Sequence, residues 1–276
     1  MALSEPFVPS SIDSFSIPIK IRQPQHNNLK SIIFFIHGGI FTHGSKDCHP
    51  SIAEALAETN VVVTASFRNG SDAPWKSGVT MSDLKDVIGW IEKEREVRDE
   101  WRGLLLGLAG SSSGGFFALT LAQSLPQSTI AFCIPICPVA DPYKRASYLR
   151  SSITRSAVEE GYVFDSNDAH SPSKAESILE TQLGFWEDDT TMRQAGELLN
   201  SSKNGTPTLL IIGSKDKNVP FEVTKVIQSW ATRTIIVGGR GHELCDSVEE
   251  IRGTYDDYIP DCMKFLDHVC EKRTKG

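Results

Sequence analysis

Short apolar runs that alternate with longer segments of helical periodicity constrain this chain more than any other feature. The runs fall at 31–36, 61–65, 104–106, 130–134, 209–212 and 235–237 and are rich in Val, Ile and Leu. Runs this short and this continuously apolar suit strands buried on both faces. Helical spacing lies between them, at 52–57, at 81–95 with Leu84, Val87, Ile88 and Ile91 on one stripe, and at 116–125. The alternation predicts an α/β fold, a mostly parallel sheet flanked by helices. Residues 15–21 alternate apolar and polar as an exposed antiparallel strand would, and Asn27-Asn28 offers a turn before Ser31, so the sheet is expected to be mixed.

From Pro138 to about Thr206 the strand rhythm stops, and Ser, Asp, Glu and aromatic residues take over. We expect a single domain over 1–276 with an irregular helical cap inserted at about 138–206. The closing segment, 247–273, spaces Ile251, Tyr255, Tyr258, Ile259, Met263, Phe265 and Leu266 roughly as a helical face, interrupted at Gly253 and Pro260.

A net charge of -7 without a sustained Lys/Arg run leaves no footprint for a polyanion, so neither nucleic acid nor an anionic membrane is an expected partner. Residues 1–6 lack a basic-then-apolar pattern and no stretch is apolar for a membrane span, so a soluble, cytoplasmic protein is expected. The six cysteines show no C-x-x-C and are expected as thiols. Whether the chain works as a monomer or a homodimer does not follow.

Gly110-Ser111-Ser112-Ser113-Gly114 follows the strand expected at 104–108 and precedes a helical pattern. In that context G-x-S-x-G becomes a candidate for a serine held on a sharp strand-to-helix turn, where small neighbours let the chain pass close to itself. Only Ser112 has glycine two residues away on both sides. A serine hydroxyl is a weak nucleophile and needs a base, which in turn needs a partner to fix its tautomer. Asp216, in Gly213-Ser214-Lys215-Asp216, lies just past the strand at 209–212, and His242 follows the next strand in Gly238-Gly239-Arg240-Gly241-His242. The order Ser, Asp, His is the one this arrangement requires, and the long first gap leaves room for the cap. Asp141 and Asp246 are rival acids; without chemistry, Asp216 would be a turn carboxylate and His242 a loop residue.

His37-Gly38-Gly39 follows the first long strand, where Gly38 and Gly39 would offer backbone amides to a developing oxyanion, with Ser113 as the third donor. His37 reads best as a residue that orders its own loop. His43, Cys48 and His49 cluster in sequence, but no second group at ligand spacing accompanies them, so no metal and no cofactor is expected.

Taken with Ser66-Phe67-Arg68 and the helix carrying Asp86 to Trp90, these motifs resemble the α/β-hydrolase superfamily, in its esterase branch of hormone-sensitive-lipase-like and kynurenine-formamidase-like enzymes. The likeness covers roughly 31–137 and 206–245, with departures at Ile40, Ser113 and Asn69-Gly70. The resemblance implies the α/β-hydrolase fold, Ser112 as nucleophile, His242 as base, Asp216 as orienting acid, and Gly38, Gly39 and Ser113 as oxyanion donors. A serine hydrolase acting on a small acyl compound is the expectation, with short acyl esters first and lactone, thioester or amide sharing the machinery. A non-catalytic small-molecule receptor, or elimination or cyclisation on a secondary metabolite, are the alternatives. Tyr143, Tyr148, Phe164, Phe185 and Trp186 either line an acyl pocket or pack the cap, and Arg145, Arg150 and Arg155 either meet a substrate carboxylate or lie at the surface.

Overall fold

The computed structural model describes residues 1–25, 28–158, 172–201, 205–245 and 258–274. Asn27, Phe164, Asp246, Ile251 and Tyr255 lie outside the described residues, as does the side chain of Arg155.

Among the described residues nine strands form one sheet: β1 (Ala2–Ser4), β2 (Phe7–Pro9), β3 (Ser16–Gln23), β4 (Ser31–Ile36), β5 (Val61–Ala65), β6 (Leu105–Ser111), β7 (Cys133–Ile136), β8 (Leu209–Gly213) and β9 (Arg233–Val237). Their order is β1-β3-β5-β4-β6-β7-β8-β9, with β2 pairing on β3. β3 runs antiparallel to β5, and from β5 through β9 every pairing is parallel. The sheet is therefore mixed, as the alternation at 15–21 implied; β1 and β2 are too short to have shown a pattern.

Helices α1 (Pro50–Leu56), α2 (Val79–Val97), α3 (Ser113–Ser124), α7 (Phe221–Gln228) and α8 (Ile259–Thr274) cover both faces. Pro260 does not break α8, because it falls in the first turn, where a proline removes no intrahelical hydrogen bond. Successive residues of β4 serve opposite cores: Ile32, Phe34 and Ile36 pack with α2 and α3, and Ile33 and Phe35 pack with α1 and α8. All six residues of β4 are buried; Ser31 donates its hydroxyl proton to Asn60 Oδ1 at 2.8 Å, and the five residues after it are continuously apolar.

Between β7 and β8 the chain forms α4 (Pro142–Val158), α5 (Pro172–Trp186) and α6 (Asp189–Glu197), more regular than the sequence led us to expect. Asp188 caps α6 by accepting the Thr191 amide at 2.7 Å. Phe185 and Trp186 are fully buried and pack with Phe41, Phe116 and Phe117; Phe41 stacks on Phe185 at 5.3 Å. Both are thus packing residues of this helical excursion. No helix among the described residues is long and apolar enough to cross a membrane.

Candidate active site

Ser112 sits where β6 turns into α3, with φ 51 and ψ -118, outside the regions a non-glycine residue ordinarily occupies. The surroundings impose this conformation. The Ser112 amide donates to the Ile136 carbonyl at 2.9 Å, and the Ser112 carbonyl accepts from Val139 at 3.1 Å, pinning the turn to the end of β7. The two flanking glycines leave no room for a side chain: a Cβ would lie 2.4 Å from the Gly114 carbonyl oxygen at Gly110, and 2.1 Å from the Ile36 carbonyl oxygen at Gly114. The G-x-S-x-G spacing is thus a steric requirement of the turn.

The loops after β8 and β9 are zipped together. The Ser214 amide donates to Val237, Lys215 to Arg240 at 2.7 Å, and Gly239 to the Ser214 hydroxyl at 2.8 Å. Gly213 permits this approach, since a Cβ there would meet the Arg240 and Gly241 carbonyl oxygens at 2.6 Å. In consequence Asp216 Oδ2 lies 2.8 Å from His242 Nδ1, and His242 Nε2 lies 3.1 Å from Ser112 Oγ. Ser112, His242 and Asp216, far apart in the chain, meet in one hydrogen-bonded line.

Asp216 is nearly buried, and its Oδ1 accepts the amides of Asn218 at 2.9 Å and Val219 at 2.8 Å, which sets the carboxylate's orientation. Burial opposes ionisation of both partners, but each supplies the other's countercharge. The Asp216 carboxyl is held below its ordinary range, and the carboxylate holds the His242 imidazole above its own.

Gly38 requires a correction. Its amide donates to His49 Nε2 at 3.2 Å, so it is already engaged within the protein. Its glycine character instead serves a close approach, because a Cβ would lie 3.0 Å from the Ser111 carbonyl oxygen and 3.2 Å from Ser112 Cβ. Gly39, at φ 124, and Ser113, the first residue of α3, donate their amides to no acceptor among the described residues. His49 Nε2 also contacts Ser111 Oγ at 2.9 Å, tying the loop after β4 to the strand that carries Ser112. The sequence suggested His49 only as one of three clustered ligands. In the structure His43 is exposed, Cys48 accepts the Ser45 amide, and the three form no metal-ligating group among the described residues. His37 orders its own loop: it stacks on Phe67 at 4.3 Å and meets the Gly38 carbonyl at 2.7 Å, and burial lowers it to about 4.

Asp141 does not reach His242. It accepts the Lys144 amide at 2.9 Å and caps α4. Arg145 is fully buried, with donors turned to Gln182 and Asn218 beside the Asp216 loop, and Arg150 pairs with Asp189. Sequence reasoning missed Cys137. It directly follows β7, at φ 43 and buried, with its sulfur within 4.8 Å of a carboxylate oxygen of Asp216 and a ring nitrogen of His242. The only available clue was that β7 lies between β6 and β8, so their ends must converge.

A family model described as alpha/beta hydrolase fold matches residues 33–217. Among solved structures, an esterase from Pyrobaculum calidifontis superposes with a TM-score of 0.73 at 14% identity, covering 98% of this chain and 86% of that one. Carboxyl esterase 2 from the fungus Tuber melanosporum gives 0.71 at 15% identity, covering 97% and 87%. An esterase from Rhizomucor miehei gives 0.70 at 18% identity, covering 99% and 85%. At these identities the likeness is one of fold. No curated protein matches the sequence.

Proposed function

Because this chain belongs to the family of the alpha/beta hydrolase fold, we propose that it is a serine hydrolase that cleaves a carboxylic ester of a small molecule through an acyl-enzyme intermediate. The observation that carries the reading is the continuous line from Ser112 Oγ through both ring nitrogens of His242 to Asp216.

In the proposed reaction Ser112 Oγ attacks the ester carbonyl carbon while His242 Nε2 takes the hydroxyl proton. Asp216 holds the proton on Nδ1, leaving Nε2 as the acceptor, and stabilises the imidazolium as it forms. The carbonyl oxygen, now negative, is met by the Gly39 and Ser113 amides at the N-terminal end of α3, whose dipole favours negative charge there. His242 then gives its proton to the leaving alcohol. A water molecule, activated by the same imidazole, releases the acid and restores Ser112. The Gly38 amide has no part in this scheme. Helices α4 to α6 act as the cap, and short acyl groups are the proposed substrates.

A fluorophosphonate probe tests the reading, together with a panel of p-nitrophenyl esters of increasing chain length. The expected results are labelling of the wild type, none of Ser112→Ala, and ester turnover lost in the same variant. Undiminished labelling of Ser112→Ala would remove Ser112 from its role, and an unlabelled, inactive wild type would end the hydrolase reading.

A further inference from the structure

Three side chains of metal-ligating type, from separate parts of the chain, meet beside His242. The Cys137 sulfur comes from the end of β7, a carboxylate oxygen of Asp216 from the loop after β8, and a ring nitrogen of His242 from the turn beyond β9. These three atoms lie within 4.8 Å of one another, and no other group of this kind occurs among the described residues. The cysteine is fixed in place, with a positive φ of 43 and an amide that donates to the Ile211 carbonyl at 2.8 Å.

A thiolate, an imidazole and a carboxylate form a donor set well suited to Zn2+, which often takes three protein ligands and leaves a fourth position open. Bonds of about 2.0–2.3 Å in tetrahedral geometry place ligand atoms roughly 3.3–3.8 Å apart. From separations of up to 4.8 Å the sulfur needs to approach by about 1.5 Å at most, while Asp216 Oδ2 and His242 Nδ1, at 2.8 Å, part by about half an ångström, movements within reach of the His242 and Asp216 side chains.

We infer that Cys137, Asp216 and His242 form a binding site for Zn2+ or a similar thiophilic divalent cation, and that its occupation switches the enzyme off. The switching part rests on the hydrolase reading above. The cation is a regulator, not a cofactor, which is compatible with a reaction that needs none. It takes Nδ1, the nitrogen that faces Asp216. The Cys137 thiol proton leaves for solvent, and sulfur binds as thiolate. The proton displaced from Nδ1 leaves to solvent and Nε2 takes one up from solvent, so the neutral ring keeps a single proton that has changed nitrogen. Nε2 then donates to Ser112 Oγ instead of accepting from it, so the serine loses its base.

Cadmium reports the site without any need for turnover, because a cadmium–thiolate bond absorbs in the ultraviolet. Titration of the wild type with Cd2+ is expected to develop that absorption to one equivalent. Zn2+ should compete it away, and Cys137→Ser should abolish it and weaken binding at least tenfold. Zn2+ should also slow fluorophosphonate labelling of wild-type Ser112, reversibly on adding a chelator, and leave labelling of Cys137→Ser unchanged. Should Cys137→Ser fail to fold, His242→Ala retains the thiol and is expected to bind Cd2+ at least tenfold more weakly than wild type. The inference is overturned if the wild type binds no Cd2+, if the band survives in Cys137→Ser, or if wild-type affinity survives in either variant. Cadmium binding that depends on Cys137, in a protein whose Ser112 no probe labels, would keep the site and remove the hydrolase reading instead.

Discussion

Arg145 on α4 donates from Nε to the Asn218 carbonyl at 3.2 Å and from a terminal nitrogen to the Asn218 side chain, two residues beyond Asp216. A third donor reaches Gln182 on α5 at 2.8 Å. A single buried guanidinium thus ties two helices of the excursion to the loop that holds Asp216.

Removing Arg145 leaves several buried acceptors without a donor, each costing about 1–3 kcal/mol. Arg145→Met is expected to lower unfolding free energy by at least that much in denaturant titration. It should also lower kcat about tenfold or more, with a smaller change in KM, because the disturbed loop carries Asp216 rather than a substrate contact. A variant with wild-type kcat and stability would show that the tie is idle.

The activity should rise with pH. His242 must be uncharged to accept the Ser112 proton, and the Asp216 carboxylate holds its charged form, raising it above the ordinary value of 6.5. The acid limb of kcat/KM is therefore expected above that value. Asp216→Asn costs roughly 10⁴ in kcat by favouring the wrong tautomer, and the limb of its residual activity should move to lower pH. A limb that moves upward in Asp216→Asn would contradict the electrostatics.

His49 holds the loop after β4 in register with β6 through the Gly38 amide and Ser111. Loss of that anchor in His49→Ala should misplace the Gly39 donor. A shift on the order of 1 Å costs about 10² in rate. Steady-state kinetics on a short ester should show the loss in kcat, and fluorophosphonate labelling of Ser112 should slow with it; labelling at the wild-type rate would place the Gly39 donor elsewhere.

Gly114→Ala would set a Cβ 2.1 Å from the Ile36 carbonyl oxygen, with backbone on both sides and no flexible side chain to yield. Overpacking of this kind costs ~1–3 kcal/mol and sometimes more, so a lower thermal midpoint and loss of Ser112 labelling are expected together. An unchanged midpoint would show that the turn can relax.

Much of this molecule could be read along the chain. Strands buried on both faces must be continuously apolar, so β4 and β5 were legible almost to the residue. A serine on a turn that admits no side chain must be flanked by glycine, so Ser112 was legible too. Asp216 and His242 followed because parallel strands bring the loops at their carboxyl ends to one edge of the sheet.

What the chain order could not decide is which way each group points and what lies beside it. Whether the Gly38 amide serves an oxyanion or His49 depends on the rotation of one peptide, fixed by α1's entry at His49. Cys137 and Arg145 carry no motif, since their partners are brought to them by strand order and by α4 crossing the acid loop. Local sterics write themselves into sequence as spacing and residue type. Contacts between distant segments depend on packing, and only the tertiary structure decided that Asp216 meets His242, Asn218, Val219 and Cys137 at once.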